Sequence, residues 1–214
     1  MKVFVSWSGG KESCLACYHA LRRGYEVAYL LNFVDEDGLR SRSHGIRSSV
    51  LDLQAEALGI PILHVRTTWG DYERHMKAAI AGLKTKGVAG GVFGDLYLPE
   101  HRAWNERVCG ELGIDAIFPL WGRDPEALLH ELINDGFEVQ VIASRLGESW
   151  LGRRVDDAFI ADIQQLDIHP CGELGEYHTF VTHGPIFNRR IHLRPVEKVV
   201  RDGTWFLDVE GGLT

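Results

Sequence analysis

The chain has 214 residues, 45% hydrophobic and 25% charged, enough to bury a core as one domain or as one domain with a small annex. A formal charge of -7 and a pI near 5.8 exclude a broad phosphate-tracking surface for nucleic acid, and no apolar run is long enough to span a membrane. With only 4 scattered cysteines there is no secreted disulfide framework, and the N-terminus opens in a strand pattern rather than a secretory leader; both point to a cytoplasmic protein.

The first element sets the theme. Val3-Phe4-Val5-Ser6-Trp7-Ser8 reads as a strand, Gly9-Gly10 as a tight turn, and Lys11-Glu12-Ser13-Cys14-Leu15-Ala16-Cys17 as the start of a helix. Backbone N–H groups of the turn, the unpaired first-turn N–H groups and the positive end of the helix dipole converge on one point, which makes it an anion site. Lys11 adds a full charge, and Ser8 and Ser13 add hydroxyl donors on either side. The Walker A spacing is excluded, because it requires glycine five residues before Gly10, where Val5 stands.

Arg22-Arg23-Gly24 closes this helix, with cations at its negative pole and a glycine cap. A strand without alternation follows over 26–34, then a polar loop over 39–47 that carries His44. Leu51, Ala55 and Leu58 mark a helix over 48–58, and 61–65 is a third strand. The unit then recurs: a helix striped by Tyr72, Met76, Ile80 and Leu83, a strand over 88–93 ending in Gly94-Asp95, a helix striped by Trp104, Val108 and Leu112, and a strand over 116–118. Asp124-Pro125 opens a further helix with an N-cap and Pro at its first position, and 137–142 is the next strand. This alternation predicts an α/β fold: a parallel sheet, right-handed crossovers and helices on both faces, with ligands beyond the carboxyl ends of the strands. The loops bearing Gly9-Gly10, His44 and Gly94-Asp95 lie at that end.

The rhythm changes near Ser144. A helix begins at Asp156-Asp157, and Asp202-Gly203 turns a hairpin between 191–200 and 204–209. Between them, 169–183 gathers Glu173, Glu176, His169, His178, His183, Cys171 and Thr179 around two glycines, more chemistry than a solvated turn requires.

With both segments in view, a family resemblance emerges. Ser8-Gly9-Gly10-Lys11-Glu12-Ser13 resembles the PP-loop, Ser-Gly-Gly-x-Asp-Ser, of the ATP pyrophosphatases, with Glu12 where that motif has Asp. Adding Gly94-Asp95-Leu96, Arg102 with Glu106, Pro119-Leu120-Trp121 and Gly172-Glu173-x-Gly175-Glu176-Tyr177-x-Thr179-Phe180-Val181, nearly the whole chain resembles the diphthine-ammonia ligase family. The resemblance implies a doubly wound sheet of the adenine nucleotide alpha-hydrolase type over 1–143 and a smaller mixed α+β substrate region over 144–214. It implies a ligase that adenylates a carboxylate, releases AMP and pyrophosphate, and transfers ammonia to the acyl group. ATP then meets Ser8, Gly9, Gly10, Lys11, Glu12, Ser13, His44, Gly94 and Asp95, with Mg2+ on Asp95 and Glu12. Lys11, Glu173, Glu176 and His178 are the catalytic set, and Arg102, Glu106 and Thr179 face the substrate. The partners it implies are ATP, ammonium and a carboxylate substrate such as diphthine on a translation elongation factor, and a homo-oligomer is left open.

Other readings stay beside this one. Members tied to diphthamide usually have an acidic residue at the position of His178, and the histidine form resembles branches linked to corrinoid salvage. Cys14 and Cys17 form a CxxC of the kind used in tRNA thiolation, although both lie on the packed stripe of their helix. His169, Cys171, His178 and His183 could hold zinc, but their spacing matches no common structural pattern. A non-enzymatic nucleotide sensor would explain the first loop and leave the acidic segment idle.

Overall fold

The computed structural model describes residues 1–214. The chain forms two compact units interleaved in sequence: Met1–Ser8, Glu12–Ser43 and Ile60–Gly122 in the first, and Gly9–Lys11, His44–Gly59 and Arg123–Thr214 in the second.

The first unit holds a parallel sheet of five strands in the order β3-β2-β1-β4-β5. Its strands are β1 (Lys2–Ser6), β2 (Glu26–Val34), β3 (Ile62–Arg66), β4 (Gly90–Val92) and β5 (Asp115–Ile117). The helices α1 (Lys11–Arg22), α3 (Tyr72–Lys84) and α4 (Pro99–Glu111) follow β1, β3 and β4 in sequence, with α2 (Ser48–Leu58) between β2 and β3. Strand order reverses at β1, which pairs with β2 on one side and β4 on the other. Ligands of open α/β sheets bind at such a switch point, so the segments leaving β1 and β4 are where the topology itself puts a site.

One core of this unit lies between the sheet and the pair α3, α4. Phe4, Leu31 and Phe33 present one face of alternate strand positions to Met76, Ile80, Leu83, Val108 and Cys109. Phe93 meets Phe4 edge to face at 5.9 Å. Gly91 stands opposite Phe4 in register, and a Cβ there would lie 2.5 Å from Phe4 Cζ. The small residue is what lets the ring cover β4.

In the second unit, β6 (Glu138–Ser144), β7 (Tyr177–His183), β8 (Ile191–Arg201) and β9 (Thr204–Leu213) form an antiparallel sheet in the order β7-β6-β9-β8. The helices are α2, α5 (Pro125–Asn134) and α6 (Asp157–Ile163). Asp124 caps α5 by accepting from Ala127 N at 2.8 Å, with Pro125 in the first turn. Asp202 and Gly203, at φ 49° and 75°, make the primed turn joining β8 to β9. Arg47, at the start of α2, holds the Asp208 carboxylate of β9 through Nε at 2.9 Å and Nη2 at 2.5 Å.

The fold departs from the repeat at one strand. The sequence pattern predicts 137–142 as another parallel strand, whereas β6 joins the antiparallel sheet, with Val139 opposite Val181 and Val141 opposite Thr179. An apolar strand shows that it will be buried without showing which sheet will bury it. The decision belongs to β7, whose hydrogen-bonding edge comes from well downstream in the chain.

Gly91→Ala forces a methyl group into the Phe4 ring and is expected to cost about 1–3 kcal/mol by overpacking. Urea denaturation should show a lower midpoint at an unchanged m-value.

Candidate active site

In the second unit the glycine loop is built onto β7. Gly9 O accepts from Val181 N at 3.0 Å and from Gln54 Nε2 at 2.9 Å, and the same Gln54 amide also donates to Val181 O at 2.8 Å. Lys11 N donates to Thr179 Oγ1 at 3.1 Å. The chain around Gly9 thus lies along β7 almost as an added strand, and Gly9 takes φ +82° to turn out of it. A Cβ on Gly10 would lie 2.7 Å from His44 Cε1 and 3.1 Å from Thr179 O, so this position has no room for a side chain.

Lys11 is 3% exposed. Its Nζ donates to Cys171 O at 2.7 Å and sits 4.4 Å from the centroid of the Tyr177 ring. The Tyr177 hydroxyl donates to Pro170 O at 2.6 Å, so the aromatic wall beside the ammonium is itself anchored to the acidic loop. His44 and His178 stack at 4.5 Å, and His44 Nδ1 is buried with no hydrogen-bond partner. Burial, each other's proximity and Lys11 hold the His44 imidazole well below its ordinary 6.5. Burial first, then Lys11 and Arg145, push His178 down to about 4, against the opposing pull of Glu176. Both rings are therefore neutral at physiological pH. An ammonium ion buried beside two neutral imidazoles and a ring calls for an anion.

The acidic loop is organised by its own carboxylate. Glu176 accepts from His169 N at 3.1 Å on one oxygen and from Leu174 N at 2.9 Å on the other. Arg145 N donates to Glu176 O at 2.8 Å, and Arg145 Nη1 reaches Leu174 O at 3.4 Å. Glu173 is half-buried in this loop, two residues after the carbonyl that Lys11 holds. Glu173, Glu176, His178, Thr179 and Lys11, dispersed in sequence, thus share one unit with Gly9, Gly10 and His44.

The first unit carries the remaining candidates. Ser8 Oγ donates to Ser13 Oγ at 3.2 Å. Gly94 lies against the first turn of α1: a Cβ there would be 2.9 Å from the Glu12 carbonyl carbon, so Asp95 follows directly on a contact with Glu12. Asp95 Oδ2 accepts from Asn105 Nδ2 at 3.3 Å, and Oδ1 is 3.6 Å from His101 Nδ1. Burial raises the Asp95 carboxyl above the usual range, with His101 opposing. Burial penalises the charged form of the Asp95 carboxyl, a penalty that a nearby cation relieves. Arg102 pairs with Glu106 at 2.7 Å and lies 5.3 Å and 4.9 Å from the Phe118 and Trp121 rings. No group of three or more His, Cys, Asp or Glu side chains clusters in a way that could hold a metal, so His169, Cys171, His178 and His183 form no zinc site. Cys14 and Cys17 are free and buried; burial, with Cys17 and Glu12 nearby, raises the Cys14 thiol, and burial raises Cys17 to about 12. Neither is poised as a nucleophile.

Gln54, Arg145 and Tyr177 belong to this arrangement and are not among the sequence candidates. Gln54 did leave a signal in its spacing, as a polar residue between Leu51 and Leu58 on the stripe of α2, and the structure buries it fully.

These features define an α/β protein with a glycine-rich anion loop after its first strand and an acidic, imidazole-bearing segment joined to that loop. Residues 1–116 match the diphthamide synthase N-terminal domain and residues 124–212 the diphthamide synthase C-terminal domain, and the chain belongs to this family. A diphthine-ammonia ligase of Schizosaccharomyces pombe is 30% identical over 93% of this chain and 37% of that protein. The human diphthine-ammonia ligase is 27% identical over 98% of this chain and 89% of its own length. The solved structure of a predicted subunit of tRNA methyltransferase from Methanocaldococcus jannaschii covers 86% of this chain and 98% of its own at 16% identity, with a TM-score of 0.48. No helix is long and apolar enough to cross a membrane.

The lowered imidazoles set a pH dependence. Above the ordinary histidine value of 6.5 the rings are neutral folded and unfolded, and they contribute no slope. As pH falls from there toward about 4, the unfolded chain takes up protons that the folded His178 refuses, so stability declines across that window. Urea unfolding between pH 7 and pH 4 should show this decline, and His178→Asn should make it shallower while His44 keeps the remainder.

Proposed function

We propose that the chain is an ATP-dependent, AMP-forming amidoligase that adenylates a carboxylate and transfers ammonia to it, with diphthine on a translation elongation factor as its substrate. The observation that carries this reading is the pairing of Gly9 and Lys11 with Val181 and Thr179, which joins an anion-binding loop to an acidic segment within one unit. The names of its relatives supply the acyl substrate and ammonia.

In the first step a substrate carboxylate oxygen attacks the α-phosphorus of ATP, the bond to the bridging oxygen breaks, and pyrophosphate leaves. Lys11 and the N–H groups of the loop meet the negative charge that grows on the leaving group. Ser8 and Ser13 contribute hydroxyl donors at the loop's two ends. Glu12 and Asp95 would hold Mg2+, which would neutralise triphosphate charge when bound. In the second step ammonia attacks the acyl carbon, the bond from that carbon to the adenylate oxygen breaks, AMP leaves, and the nitrogen passes its surplus proton to the Glu173 carboxylate. Neutral His178 presents no charge to repel ammonium and can accept a hydrogen bond from it. Glu173 attracts the cation, while Glu176 keeps the loop in shape through His169 N and Leu174 N. Arg102 and Glu106, paired with each other on α4, are the further substrate candidates.

Incubation with ATP, Mg2+, ammonium and candidate carboxylates should release AMP and pyrophosphate, whereas ADP as product would refute the mechanism and ATP binding without turnover would make the chain a sensor. Lys11→Ala should cut turnover by roughly two to three orders of magnitude with a smaller loss of nucleotide binding.

Glu176→Gln replaces one acceptor by an amide that faces a backbone N–H. This variant should still bind ATP while amide formation collapses, and retention of wild-type amide formation would remove Glu176 from the site.

A further inference from the structure

We infer that Gln54 is a positioning residue for phosphate: it fixes the plane of the Gly9–Gly10 peptide so that the amide, and not the carbonyl, faces the anion. The inference rests on the reading of the glycine loop as a pyrophosphate cradle.

Gln54 is 0% exposed among Val50, Leu51, Ala55 and Leu58, where an unmatched side-chain amide is costly. Its Nε2 carries two hydrogens, and two carbonyls use them: Gly9 O at 2.9 Å and Val181 O at 2.8 Å. Val181 N adds a second donor to Gly9 O at 3.0 Å. The Gly9 carbonyl is thus held toward α2 and β7 by two N–H groups. In a trans peptide the C=O and the following N–H point in opposite directions, so fixing the carbonyl aims the Gly10 N–H the other way. Two successive glycines can otherwise rotate this plane at little cost, which would turn a carbonyl dipole toward an incoming phosphate. Gln54 opposes that rotation. Through Val181 O the same amide also ties the loop to the strand that bears His178 and Thr179.

The test uses Gln54→Met, which keeps length and volume but donates nothing, and Gln54→Glu, which keeps shape. The probes are pyrophosphate with Mg2+, and adenosine, both measured by calorimetry on the full chain. Weaker pyrophosphate binding is expected, with Kd rising roughly tenfold to a hundredfold, the worth of one or two charge-assisted hydrogen bonds, while adenosine affinity stays within about twofold. An equal loss for both ligands, or unchanged pyrophosphate affinity, overturns the inference. Should neither variant fold, the wild-type Gly10 amide decides by NMR: pyrophosphate should shift its proton downfield, and an unmoved resonance overturns the inference. A wild-type chain that binds no pyrophosphate at all refutes the cradle itself, which is distinct from a cradle that works without Gln54.

Discussion

The carbonyl of Gly9 is the point on which the second unit depends. It accepts from a backbone N–H of β7 and from a side chain of α2, and these bonds join segments separated by 45 and more residues of sequence. A glycine loop that is only a turn has no reason to pair with a strand. Here the pairing makes the loop part of a sheet edge, and it brings Lys11 within reach of Thr179, Cys171 and Tyr177. Removal of either donor leaves a buried carbonyl short of partners, a larger loss than the net worth of the bond itself.

The electrostatics follow from that placement. A buried ammonium is tolerated only with compensation, and Lys11 has a carbonyl and an aromatic face. The imidazoles beside it respond by staying neutral, because burial and the ammonium both oppose their protonation. The outcome is a single fixed positive charge at the end of a helix whose own dipole has the same sign. In the first unit, Asp95 shows the opposite imbalance, a carboxylate made uncomfortable by burial and eased by His101.

Family membership and physical reading reinforce each other in an unequal way. The matches to the two diphthamide synthase domains cover nearly the whole chain, and they divide it close to where the parallel sheet's last helix-strand unit ends. The loop geometry says what such a chain can do with phosphate. In the acidic segment, Glu176 organises the backbone through His169 N and Leu174 N.

Much of the fold follows from local pattern. The stripe on α3, the glycine stops, the Asp124 cap and the Asp202-Gly203 turn each act over a few residues, so the residues themselves determine them. The five parallel strands and the anion loop follow in the same way, because alternation of strand and helix leaves one handed way to wind the sheet. Candidate residues in the two glycine-rich segments were legible as chemistry. Their meeting was not, since it rests on hydrogen bonds between Gly9 and Val181 and between Lys11 and Thr179 that no local pattern encodes. The same holds for β6, whose apolar run declares burial and whose partner strands alone decide its sheet. Gln54 shows the boundary most clearly. The sequence by itself determined that a polar residue would sit on the apolar side of a helix, and only the tertiary structure, by bringing two carbonyls to one amide, decided what that residue is for.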